Sequence, residues 1–309
     1  MPPPTTRFAP SLVLALAAAL PAQEAGGQAI FGWPIRTSPR PEAVLIGAGA
    51  VFWNPAGLAV SAGGSQELWL THVDGPDATG VGGMAAAGVL DLPLGLRGGA
   101  GYWHLGIDDI PRTTDSPERE LGEVEVAEDV GLIAVSRDLG PSTGVGASVR
   151  ILRGSVDSES RSEAQVEVGV FHRPALPLQP RVGLSLRGLG GHAQALGGVE
   201  VSAPPLTSAR IPIHLGYGVL WEDGPAPPQH RFSLRGSWLD LIQLGVGASH
   251  LGRNNGWVRL WMLGVNIDRY SFAVLRESLA NDFGAIHFFR AAIRFPNSDT
   301  PLRDEGPHG

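Results

Sequence analysis

The sequence predicts an all-β protein, a transmembrane antiparallel β-barrel, on three observations. From Gln66 onward, apolar residues recur at every second position in one segment after another, the pattern of strands with two chemically different faces. The opposite face of those segments is Gly, Ser and Arg, a composition suited to water or small side chains in a lumen. The third observation is an export signal at the front of a chain that contains no Cys.

Residues 1–22 resemble a secretory signal peptide. Arg7 precedes the apolar run Leu12 to Leu20, and Pro21-Ala22 sets a small residue before the expected cut at Gln23. That run is far shorter than the roughly 20 residues a spanning helix needs. Without Cys, the exported product has neither a lipobox anchor nor a disulfide framework.

Residues 23–60 are rich in Gly, Pro and Ala, have little periodicity, and include Trp33-Pro34 and Pro39-Arg40-Pro41. They read as an irregular N-terminal segment. It closes on Gly47 to Ala59, GAGAVFWNPAGLA, where small residues lead into Phe52 and Trp53 and then into Asn54-Pro55. The proline ring fixes its own φ and keeps Asn54 out of the helical region, so the stretch reads as a buried turn or a plug. A dinucleotide loop is excluded, because Phe52 stands where that fingerprint has its third Gly.

The strand segments follow. Val145, Ala147, Val149 and Ile151 oppose Gly144, Gly146, Ser148 and Arg150; Val182, Leu184 and Leu186 oppose Arg181, Gly183, Ser185 and Arg187. The same contrast runs through Ile213 to Trp221, Phe232 to Trp238, Leu244 to Ala248 and Phe289 to Phe295. About thirteen such segments are recognisable, whereas a barrel that starts and ends on one side needs an even number. The stretch before Gly47 and Leu196 to Ser202, with Val199 and Val201 in alternation, are the candidates for the missing strand.

Connections are expected in two classes. Ile107 to Asp129, Ser155 to Glu163 and Leu189 to Arg210 read as long polar loops, and Leu139 to Ser142, Ala175 to Pro180 and Asp223 to Gln229 as shorter turns, the asymmetry of an outer-membrane barrel. Trp103, Trp221, Trp238 and Trp257 lie near strand ends, where an aromatic girdle or a core position would hold them. Alternation alone also fits a soluble sandwich with its apolar face inward. Export without Cys, the loop asymmetry and the Gly/Ser/Arg face favour the barrel. Lipid then lies outside, and Arg150, Arg181, Arg187 and Arg235 become candidate lumen-lining residues, since a charge at the lipid midplane costs about 2–4 kcal/mol. Such arginines line a polar path, pair with carboxylates of the plug, or satisfy one another and lumen water.

Composition excludes several functions. The net charge is −7 and all 23 basic residues are Arg, so no basic surface invites nucleic acid. No G-x-S-x-G elbow and no thiol supports catalysis, and no cofactor motif is present. His104, Asp108 and Asp109, and the acidic run Glu118 to Asp129, have metal-ligand chemistry, but both read better as solvated loop.

From about Gly47 to Phe295 the chain resembles the PorV/PorQ branch of the FadL-like outer-membrane barrels. The resemblance rests on GAGAVFWNPAGLA, YWHLGIDDIPRTT from Tyr102, VGASVRILRGSV from Val145, VEVGVFHRP from Val166, VGLSLRGLGG from Val182, IPIHLGYGV from Ile211, and the end from Leu263. It implies about fourteen strands and a lumen plugged by an N-terminal hatch, with Gly47, Gly49, Phe52, Trp53, Asn54, Pro55 and Gly57 as the hatch motif. The implied organisation is a hatch segment at 23–60, a barrel at 61–295 and a polar tail at 296–309. The implied function is non-enzymatic: passage or binding of hydrophobic compounds, or service as an acceptor of secreted proteins in type IX secretion. Outer-membrane lipid, hydrophobic small molecules and secreted proteins are the expected partners. The alternatives are a structural or adhesive surface barrel and a soluble periplasmic β-rich binding protein.

Overall fold

The computed structural model describes residues 38–60, 66–76, 79–111, 122–157, 159–188, 193–203, 211–223, 227–251, 256–278 and 284–295. The expected signal peptide and C-terminal tail lie outside these residues, as does the first part of the segment 23–60.

Fourteen antiparallel strands close into one barrel in sequence order. They are β1 (Gln66–Asp74), β2 (Val81–Leu92), β3 (Leu96–Pro111), β4 (Glu123–Asp138), β5 (Thr143–Val156), β6 (Glu159–His172), β7 (Arg181–Arg187) and β8 (Gln194–Ala203). The series continues with β9 (Ile213–Glu222), β10 (Gln229–Trp238), β11 (Ile242–Leu251), β12 (Gly256–Ile267), β13 (Tyr270–Ser278) and β14 (Ala285–Phe295). Closure comes from β1 against β14, with Gln66 opposite Phe295 and Asp74 opposite His287. A closed ladder leaves no edge of unpaired backbone groups, the condition for crossing a bilayer in strands.

The side-chain alternation resolves which face meets lipid. Leu184, Leu186, Phe232, Leu234, Leu244 and Val246 are exposed on the outside, whereas their neighbours Ser185, Arg187, Arg231 and Arg235 are buried. Because directly paired residues share a face, the whole outward set is apolar over its middle height and the inward set is small, polar or tightly packed. A wall with exposed Leu, Val and Phe around buried Arg and Glu is stable only with hydrocarbon outside.

The missing strand is β8, which contains Leu196 to Ser202; the stretch before Gly47 forms a short 3-10 turn at Glu42–Val44 instead. Much of the expected long loops is strand among the described residues. Residues 157–158 join β5 to β6, so Ser155 to Glu163 is mostly strand, and Leu189 to Arg210 contains β8. β3 and β4 likewise take up much of Ile107 to Asp129. Above the lipid band nothing requires apolar side chains, so the alternation fades while the backbone ladder continues.

Trp103 corrects the girdle. It is 2% exposed on the inward face, while Trp221, Trp238 and Trp257 are about half exposed on the outside, joined there by Trp261. Position parity decides this: on β3, Tyr102 and Trp103 must point to opposite sides.

The face assignment predicts that Leu184→Arg and Leu234→Arg each lower the yield of folded barrel, at a cost of about 2–4 kcal/mol near the midplane. Ser233→Asn, on the inward face, leaves the yield unchanged. The shift in gel mobility between unheated and boiled samples measures folded barrel for all three.

Candidate functional site

Residues 38–60 form three 3-10 turns, Glu42–Val44, Gly47–Phe52 and Pro55–Leu58. Almost every residue among them is buried. Their partners are inward-facing residues of the wall, from Glu67 on β1 round to Gly245 on β11, so the segment lies across the lumen.

Local chemistry explains the turn at Trp53-Asn54-Pro55. The Asn54 side chain accepts from the Ala56 amide at 3.1 Å, capping the turn that Pro55 opens. This is the arrangement in which Pro costs no backbone bond. The Asn54 amide group donates to the Ala43 carbonyl at 2.6 Å and to the Val170 carbonyl of β6 at 3.2 Å. One fully buried side chain therefore ties two turns of the segment to each other and to the wall.

Glycines on the wall make the room. A Cβ at Gly169 would strike the Asn54 carboxamide and one at Gly183 the Ala43 carbonyl, while one at Gly146 would meet the Pro55–Ala56 peptide. Gly101 accepts the Phe52 ring in the same way. Within the segment, Gly57 lies against the Leu45 carbonyl, and Gly47 has φ +70°, a conformation L side chains rarely adopt, beside the Glu67 carboxylate. Glu67 accepts from the Ala48 amide at 3.2 Å. Gly49 is half-buried in the second turn.

The aromatic pair sits in two different settings. Phe52 packs against Trp69 and Trp103 with ring centroids 5.4 and 5.3 Å apart. Trp53 lies between the guanidinium groups of Arg187 and Arg231, 5.7 and 5.8 Å from its ring centroid, within cation-π range.

Two of the four predicted arginines hold the segment directly. Arg150 and Arg187 both donate to the Phe52 carbonyl, at 2.7 and 3.0 Å, and Glu167 lies between them at 3.5 and 3.4 Å. Arg181 and Arg235 belong to a second group around Glu200, at 3.2 and 3.3 Å, which Arg40 of the segment joins at 3.5 Å. Glu42 of the segment pairs with Arg231.

Sequence reasoning missed Glu42, Glu167, Glu200, Arg231 and Trp103. The signal was present for the wall residues: Glu167 and Glu200 fall on the same parity as the inward Gly169 and Gly198, and Arg231 alternates with Phe232. The residues whose chemistry would suit a metal are not assembled into a site. His104 and Asp108 lie on the outward side of β3, and Asp129 of β4 bonds Tyr102 at 2.6 Å and His104 at 2.9 Å. Among the described residues no group of three or more His, Asp or Glu is placed to hold a metal. Of the acidic run, Glu123 to Asp129 belongs to β4, with Glu128 buried inward; Glu118 and Glu120 lie outside the described residues.

Beside the Phe52–Trp69–Trp103 cluster, the inner wall is lined by apolar side chains. Val73, Val130, Leu196, Leu220, Leu260 and Leu275 are all buried there. A lipid-facing barrel with an irregular buried segment across its lumen and an apolar inner lining is the architecture of a plugged membrane barrel rather than of an open aqueous pore. No protein-family model matches the chain, and no curated protein matches it. Solved structures do. The chain is similar to the Pseudomonas putida toluene transporter TodX, at 11% identity and TM-score 0.52 over 83% of this chain and 96% of that one. It is similar to the Ralstonia pickettii toluene transporter TbuX, at 10% identity and TM-score 0.53 over 80% and 92%. A Pseudomonas aeruginosa FadL homologue gives 8% identity and TM-score 0.54 over 83% and 96%. At these identities the likeness is one of fold: the chain shares the barrel fold of these three structures.

Glu167→Gln should destabilise the lumen strongly, by about 3–5 kcal/mol, because it leaves two buried guanidinium groups without their carboxylate. Asn54→Ala costs about 1–3 kcal/mol and acts on the segment rather than on the barrel. Hydrogen exchange distinguishes them: Asn54→Ala raises exchange in residues 43–56 while the amides of β9–β13 stay protected.

Proposed function

We propose that this protein is a non-enzymatic outer-membrane barrel that binds small hydrophobic compounds and passes them through its lumen, with residues 23–60 as its hatch. The observation that carries the reading is the apolar part of the inner wall beside the buried segment 38–60, where Leu196, Leu220, Leu260 and Leu275 face inward. An apolar compound entering there exchanges water for Leu, Val and Trp surface at about 25 cal/mol per Å². The toluene transporters TodX and TbuX share the barrel fold, which supports the same class of cargo.

The assignment to the PorV/PorQ branch rests on the motif at Gly47 to Ala59. Its residues make the Asn54 cap and the Phe52 carbonyl contact, so the motif here serves the hatch itself. An acceptor role for proteins delivered by type IX secretion is the second reading, and presence of the other secretion components in the same genome discriminates it. Export by the segment 1–22 completes the proposal.

Two measurements test it. Purified full-length barrel in planar bilayers should conduct little, and deletion of residues 47–59 should give a folded, heat-modifiable barrel of higher conductance. Loss of all folded material on deletion would assign the segment to the wall's folding instead. Leu260→Glu together with Leu275→Glu should reduce binding of toluene or a fatty acid at least tenfold in equilibrium dialysis while the barrel remains heat-modifiable.

A further inference from the structure

The outer surface is not uniform where the apolar band ends on the rim opposite the first residue of β1 and the last of β14. On β10 to β14 and β1, the outward residues just beyond that band include His230, His250, Arg259, Trp261, Arg276, His287 and His72. Cross-strand pairing sets Trp261 beside Arg276, Arg276 beside His287, and His287 beside Asp74. Arg259 stands one outward position away, its backbone joined to the Ser278 hydroxyl at 2.8 Å.

The belt continues along the neighbouring strands. His250 is paired with His230 and with Trp257, its ring centroid 5.3 Å from that of Trp257. His72 stacks on Phe289 at 6.3 Å. Arg259 and Arg276 are exposed, and among the described residues neither has a carboxylate partner. Asp74, at the edge, is the acidic side chain among the described outward residues of these strands.

The opposite wall differs. There Asp129 is bonded by Tyr102 and His104 and stands directly opposite Arg153 in the β4–β5 ladder, so the guanidinium on that side faces a carboxylate across the ladder. Two guanidinium groups that face no carboxylate among the described residues, flanked by imidazole and indole N–H donors and continuous with Phe289, Val274 and Leu263 of the apolar band, present complementary chemistry to one kind of occupant. Acyl chains lie on the apolar band, and a phosphate group meets the arginines at the interface.

We propose that this belt is a docking site for a phosphate-bearing membrane lipid, with Arg259 and Arg276 as the groups that receive the headgroup phosphate. Arginine matches phosphate through paired N–H donors, and a basic residue at a membrane surface contributes on the order of a fivefold preference for an anionic lipid. Tryptophans at the same height anchor the barrel so that the arginines stay at headgroup level. The proposal concerns the outer wall and is independent of what the lumen carries.

The test uses the full-length barrel reconstituted in phosphatidylcholine vesicles containing spin-labelled phosphatidic acid or spin-labelled phosphatidylcholine. Electron paramagnetic resonance then gives the protein-bound fraction of each label. Wild type should prefer the phosphatidic acid label, and Arg259→Gln with Arg276→Gln should lower that preference about fivefold per arginine. Arg259→Lys with Arg276→Lys should restore part of it, and Arg153→Gln on the opposite wall should leave it unchanged. Excess inorganic phosphate should not displace the label, because the site reads a headgroup and its chains together. Equal retention of the two labels by wild type, an undiminished preference in the double Gln variant, an equal loss in Arg153→Gln, or displacement by inorganic phosphate would each overturn the proposal.

Discussion

The carbonyl oxygen of Phe52 is the point on which the lumen depends. It belongs to an irregular segment with few backbone partners of its own, buried where water cannot serve as one. Arg150 from β5 and Arg187 from β7 both reach it, and each charge-assisted bond of this kind contributes about 1.5–3 kcal/mol. Neither arginine is tolerable there without a carboxylate, which is why Glu167 of β6 stands between them. The chain of requirement runs from one backbone oxygen to three strands.

That requirement also decides where the wall is small. A segment that touches the wall through backbone carbonyls and a carboxamide must approach within a hydrogen bond of it, and side chains on the wall would hold it off. Gly146, Gly169 and Gly183 lie inward where Pro55, Asn54 and Ala43 come closest. The arginines flank this track rather than occupy it, reaching over from Ser148 and Ser185 neighbours along the same faces. Glycine content and arginine content on the inner face are thus two parts of one packing solution.

Much of this was legible in the sequence because parity is an exact property of strands. Alternation put Leu184 and Arg187 on opposite faces and sets Glu167 on the same face as Gly169; the export signal, the absence of Cys and the Gly/Ser/Arg composition of one face then turned the Leu184 side to lipid. It failed where the physical cause of alternation ends. Ser155 to Glu163 lies beyond the apolar band, so its polar residues resemble a loop although they are paired in the β5–β6 ladder. Trp103 was misjudged because residue type was allowed to outweigh parity. The partners of the segment were not legible at all: that Asn54 meets Val170, 116 residues later, follows from barrel closure, which no local pattern records.

The electrostatics of the lumen follow from what an empty barrel would contain. Arg150, Arg187 and Arg231 are buried only because residues 42–53 cover them, supplying the Phe52 carbonyl, the Trp53 ring and the Glu42 carboxylate. Without the segment these guanidinium groups would require water, since an isolated buried charge is far costlier than a solvated one. The uncovered wall is therefore a wet, positively charged ring, whereas the covered wall presents Trp69, Trp103 and the aliphatic lining. Dry apolar surface and the buried segment exist together or not at all, so any passage for an apolar molecule must run along the segment rather than through the space its removal would leave.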